Sequence, residues 1–298
     1  ALIAFSRCII NGPDALSSWN VGSTDADPCA DGWDGIKCKT DGKTKTHIFQ
    51  LDLGDRGLLG PVHEALLPLQ ALPYLEHLAL YDNALTGTLP QALQMPSLTL
   101  LRLDDNPLAG ALPTGLGSDW VLPLLEYLDL HSTRLTGPVR PELGRLRTLQ
   151  KLYLYNCSFS GTLPRELGHL PMLLSLRLDH NALTGVLPPW TTREGLDFMR
   201  RDSVPAGDND RPADDSLTER WRTLQLLQSI EYLDLSHNQL TGTLPSSLGT
   251  LLSLQELHLY ANRFTGEIPP SLGRLASLLA LRLDRNQLTG QIPVELLQ

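Results

Sequence analysis

Residues 230–248 read IEYLDLSHNQLTGTLPSSL, and residues 254–272 read LQELHLYANRFTGEIPPSL. Both follow the frame LxxLxLxxNxLxGxLP, with Phe or Ile at some leucine positions. The frame recurs along the chain, and its second LxL leucines are 27, 23, 27, 24, 24, 57, 24 and 24 residues apart. These spacings describe a tandem array of nine repeats with one large insertion. The nine pairs are Leu51/Leu53, Leu78/Leu80, Leu101/Leu103, Leu128/Leu130, Leu152/Leu154, Leu176/Leu178, Leu233/Leu235, Leu257/Leu259 and Leu281/Leu283.

Each part of the frame predicts a local structure. The alternation in LxL is typical of a short half-buried strand, and one strand per coil allows parallel pairing between coils. The asparagine lies where the chain turns inward, so its amide can satisfy backbone groups of adjacent coils. Glycine and proline in LxGxLP disfavour a regular helix on the return path. The predicted ladder asparagines are Asn83, Asn106, Asn181, Asn238, Asn262 and Asn286, with Arg56, Thr133 and Cys157 at the same position in three coils.

The frame resembles the signature of the plant-type extracellular leucine-rich repeat family, over about residues 48–298. The segment DPCADGWDGIKC resembles the N-terminal capping domain of that family, with its WxGxxC element at Trp33, Gly35 and Cys38. The resemblance implies an α/β right-handed leucine-rich-repeat solenoid. It would have a parallel concave β-sheet, short 3-10 or extended convex segments and an N-terminal helical cap. We expect a cap over residues 1–47 and nine repeats over 48–298.

The same resemblance implies a disulfide between Cys29 and Cys38, and hence an extracellular protein or ectodomain. The alternative is two free thiols in a cytosolic repeat protein. Cys157 takes a ladder position and Cys8 lies in the predicted cap helix, so we expect both to be free and packed inward. Because no cysteine cap precedes Gln298, we also expect the natural protein to continue further.

Composition excludes several classes of function. The 298 residues carry 24 basic and 33 acidic side chains, and the net charge of −9 argues against a nucleic-acid partner. No apolar run approaches a membrane span, and no phosphate loop, HExxH, CxxC or GxSxG motif is present. We therefore expect no catalytic residues, no cofactor and no metal. His180 and His237 fall in one column of adjacent coils, but two rings without a third ligand are more often solvated.

The predicted concave face collects rings. Six of the seven tyrosines and five of the eight histidines fall at outward strand positions. Amphipathic rings gathered on one surface are typical of protein interfaces. Tyrosine also has a high β-propensity, which alone would place it in strands. The predicted partner-binding residues are Tyr81, Tyr127, His131, Tyr153, Tyr155, Arg177, His180, Tyr232, His237, His258 and Tyr260.

A longer period runs through these columns. Every third coil reads LRLD, and the coil before it carries tyrosine after the leucine pair. The array is thus three copies of a three-coil unit. Three explanations stay open: shared ancestry, self-pairing of Arg102 with Asp104 or Asp129 and of Arg177 with Asp179 or Asp234, or a surface for a repetitive partner. As exposed pairs, these would contribute about 0–1 kcal/mol each.

The insertion lies at about residues 190–228. It combines a polar stretch, AGDNDRPADDS, with a helical pattern that begins at a capping box, Ser216 and Glu219. In resembling receptors such an island helps to bind ligand, whereas a tolerated surface excursion is the alternative.

These observations favour a non-enzymatic extracellular recognition module that binds a protein or peptide on its concave face. The first alternative is a structural scaffold subunit of a larger assembly. The second is a secreted inhibitor or a surface- or ice-binding protein. Ice binding requires a regular uncharged array, and the Asp and Arg columns of the concave face argue against it.

Overall fold

The computed structural model describes residues 1–11, 15–20, 22, 26–40, 42, 45–115, 120–188 and 227–297. Within these ranges each repeat forms one coil, and successive coils stack through buried leucines. Leu51, Leu78, Leu101, Leu128 and Leu152, the first leucines of the first five pairs, are all fully buried. One coil cannot bury its leucines alone, so the stack as a whole supplies the core. The prediction of a leucine-rich-repeat solenoid is confirmed.

The first sheet, here called the concave sheet, contains ten strands in the described residues. An antiparallel hairpin from the cap begins it, and the remaining strands pair in parallel with the paired leucines in register, as in Leu128↔Leu152. Its strands are Ile36–Thr40, Thr46–Asp52, His77–Ala79, Leu100–Arg102, Tyr127–Asp129, Lys151–Tyr153, Ser175–Arg177, Tyr232–Asp234, Glu256–His258 and Ala280–Arg282.

The second sheet was missed by the sequence analysis. In the described part of the chain, seven parallel strands pair where the frame reads xLxGx. They are Ala109–Ala111, Arg134–Pro138, Ser158–Thr162, Ala182–Val186, Gln239–Thr243, Arg263–Glu267 and Gln287–Thr289. Two strand pairs stand apart, Leu59–Pro61 with Ala84–Thr86 and Leu93–Gln94 with Trp120–Val121.

Short 3-10 helices follow the second sheet, as predicted for the return path. Proline begins two of them, at their first residue. The helices are Pro141–Arg145, Arg165–His169, Ser246–Thr250, Pro270–Arg274 and Val294–Leu296. The first coil differs, because an α-helix, Val62–Leu69, occupies this position and contacts the N-terminal helix Leu2–Cys8.

The N-terminal segment covers the first coil. Phe5, Trp19 and Trp33 are buried, and the Trp19 ring stacks on Trp33 at 5.1 Å between centroids. Cys29 and Cys38 are joined by a disulfide, with their Cα atoms 5.9 Å apart. Cys8 and Cys157 are free and partly buried. The expected insertion, at about residues 190–228, lies outside the described part of the chain except for its last two residues.

The asparagine position builds a ladder between coils. In Asn262 the Nδ2 amide donates to the carbonyls of Leu235 and Leu259, at 2.9 and 3.2 Å, and Oδ1 accepts from the Leu240 amide at 3.0 Å. The other five asparagines repeat this pattern, each joining its own coil to the preceding one. Thr133 and Cys157 continue the ladder with weaker donors, both to the Leu130 carbonyl.

Candidate partner-binding face

Each of the nine leucine pairs is followed, two positions later, by a residue in the left-handed conformation. Nine non-glycine residues have φ between 49° and 54° there. Asn, Asp and His tolerate this region better than most residues, and they fill six of the nine positions. This conformation turns the chain from the concave sheet toward the ladder. The residues are Asp55, Asp82, Asp105, Ser132, Asn156, His180, His237, Ala261 and Arg285.

Three tyrosines of the face lie under arginines of the next coil. The guanidinium carbon of Arg102 lies 3.9 Å from the Tyr81 ring centre, and that of Arg177 lies 3.7 Å from the Tyr155 ring. Arg282 covers Tyr260 in the same way at 3.9 Å. Such contacts contribute about 0.5–1 kcal/mol at exposed sites and more when desolvated.

The opposite faces of these tyrosines are also covered. Tyr81 lies directly on Gly54, where a side chain would collide with the ring. His131 stacks on Tyr155 at 4.2 Å between centroids, and His237 meets Tyr260 edge-on at 5.1 Å. The three-coil period therefore has a structural basis, because each unit supplies a tyrosine enclosed by its neighbours.

The arginines are fixed a second time by aspartates of their own strands. Arg102 donates to Asp104 through Nη2 at 2.7 Å, and Arg177 donates to Asp179 at 3.2 Å. The carboxylates of Asp104 and Asp179 are 0% and 4% exposed, so the expectation of exposed pairs was wrong. Burial and the nearby Asp129 raise the pKa of Asp104, and Arg102 opposes that rise.

Asp129 organises the centre of the face. Its Oδ2 accepts a hydrogen bond from the Tyr127 hydroxyl at 2.7 Å, and its Oδ1 lies 2.6 Å from Nδ1 of His131. Burial and this hydrogen bond raise the pKa of Tyr127 above its ordinary value. Burial of His131 by itself lowers its pKa. The hydrogen bond to Asp129 and the negative charges of Asp129, Asp104 and Asp105 have the larger effect, so the pKa of His131 is raised.

The predicted partner-binding residues fall into two clusters. In the central cluster the Tyr153 ring lies edge-on to Tyr127 at 5.3 Å and to Tyr155 at 6.3 Å. We define the central cluster as Tyr127, His131, Tyr153, Tyr155 and Arg177.

The second cluster follows on the next coils. His180 stacks on His237 at 4.1 Å, and Tyr232 meets His258 at 5.5 Å. Burial and the neighbouring His180 lower the pKa of His237. With Tyr260 these residues form the C-terminal cluster, whereas Tyr81 lies apart from both clusters, against Gly54 and Arg102.

Asp104, Asp129 and His131 also bring three potential metal ligands within 4.8 Å of one another. The sequence analysis expected no metal and missed this group, although its residues occupy neighbouring columns of adjacent coils. Arg102, Tyr127 and His131 already supply partners to both carboxylates. The group is therefore satisfied by the protein's own side chains.

Parts of the chain match known families of repeat proteins. Residues 1–39 match the model of the family described as "Leucine rich repeat N-terminal domain". Residues 148–170, 229–251 and 253–275 match the model of the family described as "Leucine Rich Repeat". A stretch of 82 residues, 27% of the chain, is 39% identical to the Receptor-like protein kinase HSL1 of Arabidopsis thaliana, and it spans 7% of that protein.

Solved structures extend the match along the chain. The LRR ectodomain of the Arabidopsis thaliana receptor kinase GASSHO1/SCHENGEN3, in complex with CASPARIAN STRIP INTEGRITY FACTOR 2, is 31% identical with a TM-score of 0.79. The match covers 99% of this chain and 30% of that one. A plant ice-binding protein is 25% identical with a TM-score of 0.63, and here 98% of this chain matches 87% of the other.

The fold and the cap are those of extracellular leucine-rich-repeat ectodomains. The resemblance to the plant-type extracellular leucine-rich repeat family is confirmed by the cap and repeat matches and by the solved ectodomains. Leucine-rich-repeat ectodomains are a non-enzymatic kind of domain. Among the described residues, no helix has the length and apolar character needed to cross a membrane.

Proposed function

We propose that this chain is a non-enzymatic recognition module that binds a peptide or protein partner on its concave face. The central cluster carries the proposal. Its rings and guanidinium are held by one another and by Asp129 and Asp179, so little side-chain entropy is lost when a partner binds. Tyrosine and arginine are the residue types that dominate interface energies.

The factor-bound ectodomain of GASSHO1/SCHENGEN3 supports this reading by its similarity. The chain spans only 30% of that ectodomain, so the ligand of that ectodomain is not assigned to this chain. Tyr153 is the best candidate anchor. Its ring has edge contacts to two tyrosines, whereas Tyr155 is covered by His131 on one side and by Arg177 on the other.

A library of unstructured peptides displayed on phage tests the proposal. The immobilised wild-type protein should enrich a peptide family, and the Tyr153→Ala/Tyr155→Ala variant should bind it about thirtyfold more weakly, as expected when an anchor worth 2 kcal/mol is lost. Tyr74→Ala is the matched control, because this exposed tyrosine lies against His47 outside both clusters. Equal weakening by both variants, or no enrichment by the wild-type protein, would argue against the concave site.

We also propose a second candidate function, binding to an extended regular surface. The similarity to a plant ice-binding protein supports it, since this chain spans 87% of that protein. The observation that favours it is the second sheet, in which the residues on either side of each glycine are uncharged from the third coil to the seventh, with the charged Arg134 beside them. The Asp and Arg columns that counted against ice binding lie on the other sheet. Inhibition of ice recrystallisation by the intact protein, compared with the heat-denatured protein, tests this candidate directly.

A further inference from the structure

The second sheet presents two rows of side chains to the outside. The leucine of each xLxGx strand faces inward, whereas the residues on either side of the glycine face outward and form the two rows. The residue before the leucine also faces outward, beside the rows, and in the fourth coil it is the charged Arg134. Leu183 is buried, for example, whereas Thr184 and Val186 on either side of Gly185 are exposed. From the third coil to the seventh, the rows are Ala109, Thr136, Ser160, Thr184 and Thr241, and Ala111, Pro138, Thr162, Val186 and Thr243.

These rows carry hydroxyl and methyl groups and no charge. The first charged residue within them is Glu267, in the eighth coil. At one strand spacing per coil of about 4.8 Å, the five coils extend for about 19 Å, and the two rows are about 7 Å apart along the strand. The rows also lack the aromatic, Arg and Met side chains that anchor protein interfaces. A protein partner is therefore not the occupant that this surface fits.

The rows are held in a regular arrangement. Across neighbouring strands Thr162 pairs with Thr184 and Thr243 pairs with Thr265. A Cβ added at Gly185 would lie 2.8 Å from the Thr162 methyl carbon, and one added at Gly242 would lie 2.8 Å from Cγ1 of Val186. The side chains of the row that follows the glycine therefore rest over glycines of the next coil. β-Branched residues have few χ1 choices to begin with, so the methyl groups are fixed before any ligand arrives.

We infer that the two rows of the second sheet form an ice-binding surface, an inference that rests on the second candidate function. Ice repeats in two dimensions, and the rows repeat across strands and along each strand. Uncharged hydroxyl and methyl groups can be accommodated in an ordered water layer, whereas a charged group keeps its own hydration shell. The concave sheet, with its Asp and Arg columns, is excluded as the ice-facing side.

The test measures adsorption of fluorescently labelled protein to a single ice crystal, with folding of each variant checked by thermal melting. Thr162→Lys/Thr184→Lys places two charges at the middle of the rows, and we expect the concentration needed for half coverage to rise at least about tenfold. Thr46→Lys makes the same change on the exposed hairpin outside the second sheet and should leave coverage unchanged. The Tyr153→Ala/Tyr155→Ala variant should also adsorb normally.

The variants distinguish four outcomes. Loss in the double lysine variant alone supports the inference. Equal adsorption by that variant and the wild-type protein overturns the assignment to the second sheet while the second candidate function stands. Loss in the tyrosine variant alone would assign ice to the concave face. No adsorption by the folded wild-type protein overturns both the inference and the second candidate function, and peptide binding by the central cluster is unaffected.

Discussion

At the residue scale, the protein depends on polar side chains that are buried and fully used. Asn106 has four backbone partners, three through Nδ2 and one through Oδ1, while it is almost inaccessible to solvent. An amide is suited to this position because it offers both donors and an acceptor. Threonine and cysteine at the same position keep only part of the network.

Asn262→Ala should destabilise the protein by about 1–3 kcal/mol, since buried carbonyls and one amide lose their partners. Urea unfolding of the wild-type protein and the variant measures the loss. Asn20→Ala is the matched control, because the Asn20 side chain is exposed and its backbone is not left-handed. A midpoint that is the same for Asn262→Ala as for the control would show that the ladder does not contribute.

His131 makes the stability of the centre depend on pH. Its folded-state pKa is raised by Asp129, Asp104 and Asp105, so its contribution is present below the unfolded value of about 6.5 and is lost as pH rises through the folded value. Wild-type stability relative to His131→Gln should therefore be greatest near pH 5.5 and should shrink above about pH 6.5. Melting temperatures across this range measure it.

His77→Gln serves as the control for that series, since the His77 ring meets Phe49 edge-on at 6.3 Å. The groups facing His131 are the three aspartates and the Tyr155 ring. A stability difference between the wild-type protein and His131→Gln that grows as pH rises would contradict the assignment.

At the scale of elements, the sequence predicted one sheet and missed the other. The LxL alternation is a clear strand signal, because apolar and polar residues follow each other at period two. The segment xLxGx has one large apolar residue and a glycine on its inward side, which reads as a turn. Only stacking makes it a strand, because the glycine lets the preceding coil approach closely, as at Gly185 and Gly242.

The three-coil period could likewise be read from the columns, but its cause could not. Sequence placed Tyr155, Arg177 and Asp179 on one face and left self-pairing open. It treated the aspartates as exposed, whereas Asp104 and Asp179 lie beneath the arginines and are buried. The rotamers and the coil spacing determine which faces of a ring are covered. The repeat frame of the sequence predicts neither of them.

At the scale of the whole molecule, the solenoid gives two different surfaces from one repeat. The concave sheet holds the rings, arginines and aspartates of the central and C-terminal clusters, whereas the second sheet holds uncharged rows. The repeat spacing and the ladder positions followed from sequence, since each depends on local pattern, whereas the cap followed from the resemblance to the family. The domain boundaries at 47 and 48 stay a prediction.

The central claim is that a partner lies across the central cluster, and photo-crosslinking tests it most directly. A benzoylphenylalanine in place of Tyr153 should form an adduct with the peptide that the wild-type protein enriches, and one in place of Tyr74 should not. Tyr74 is 57% exposed, so its photoprobe is open to solvent outside the face. An adduct at position 153 alone is the predicted result, and an adduct at position 74 without one at 153 would contradict the claim.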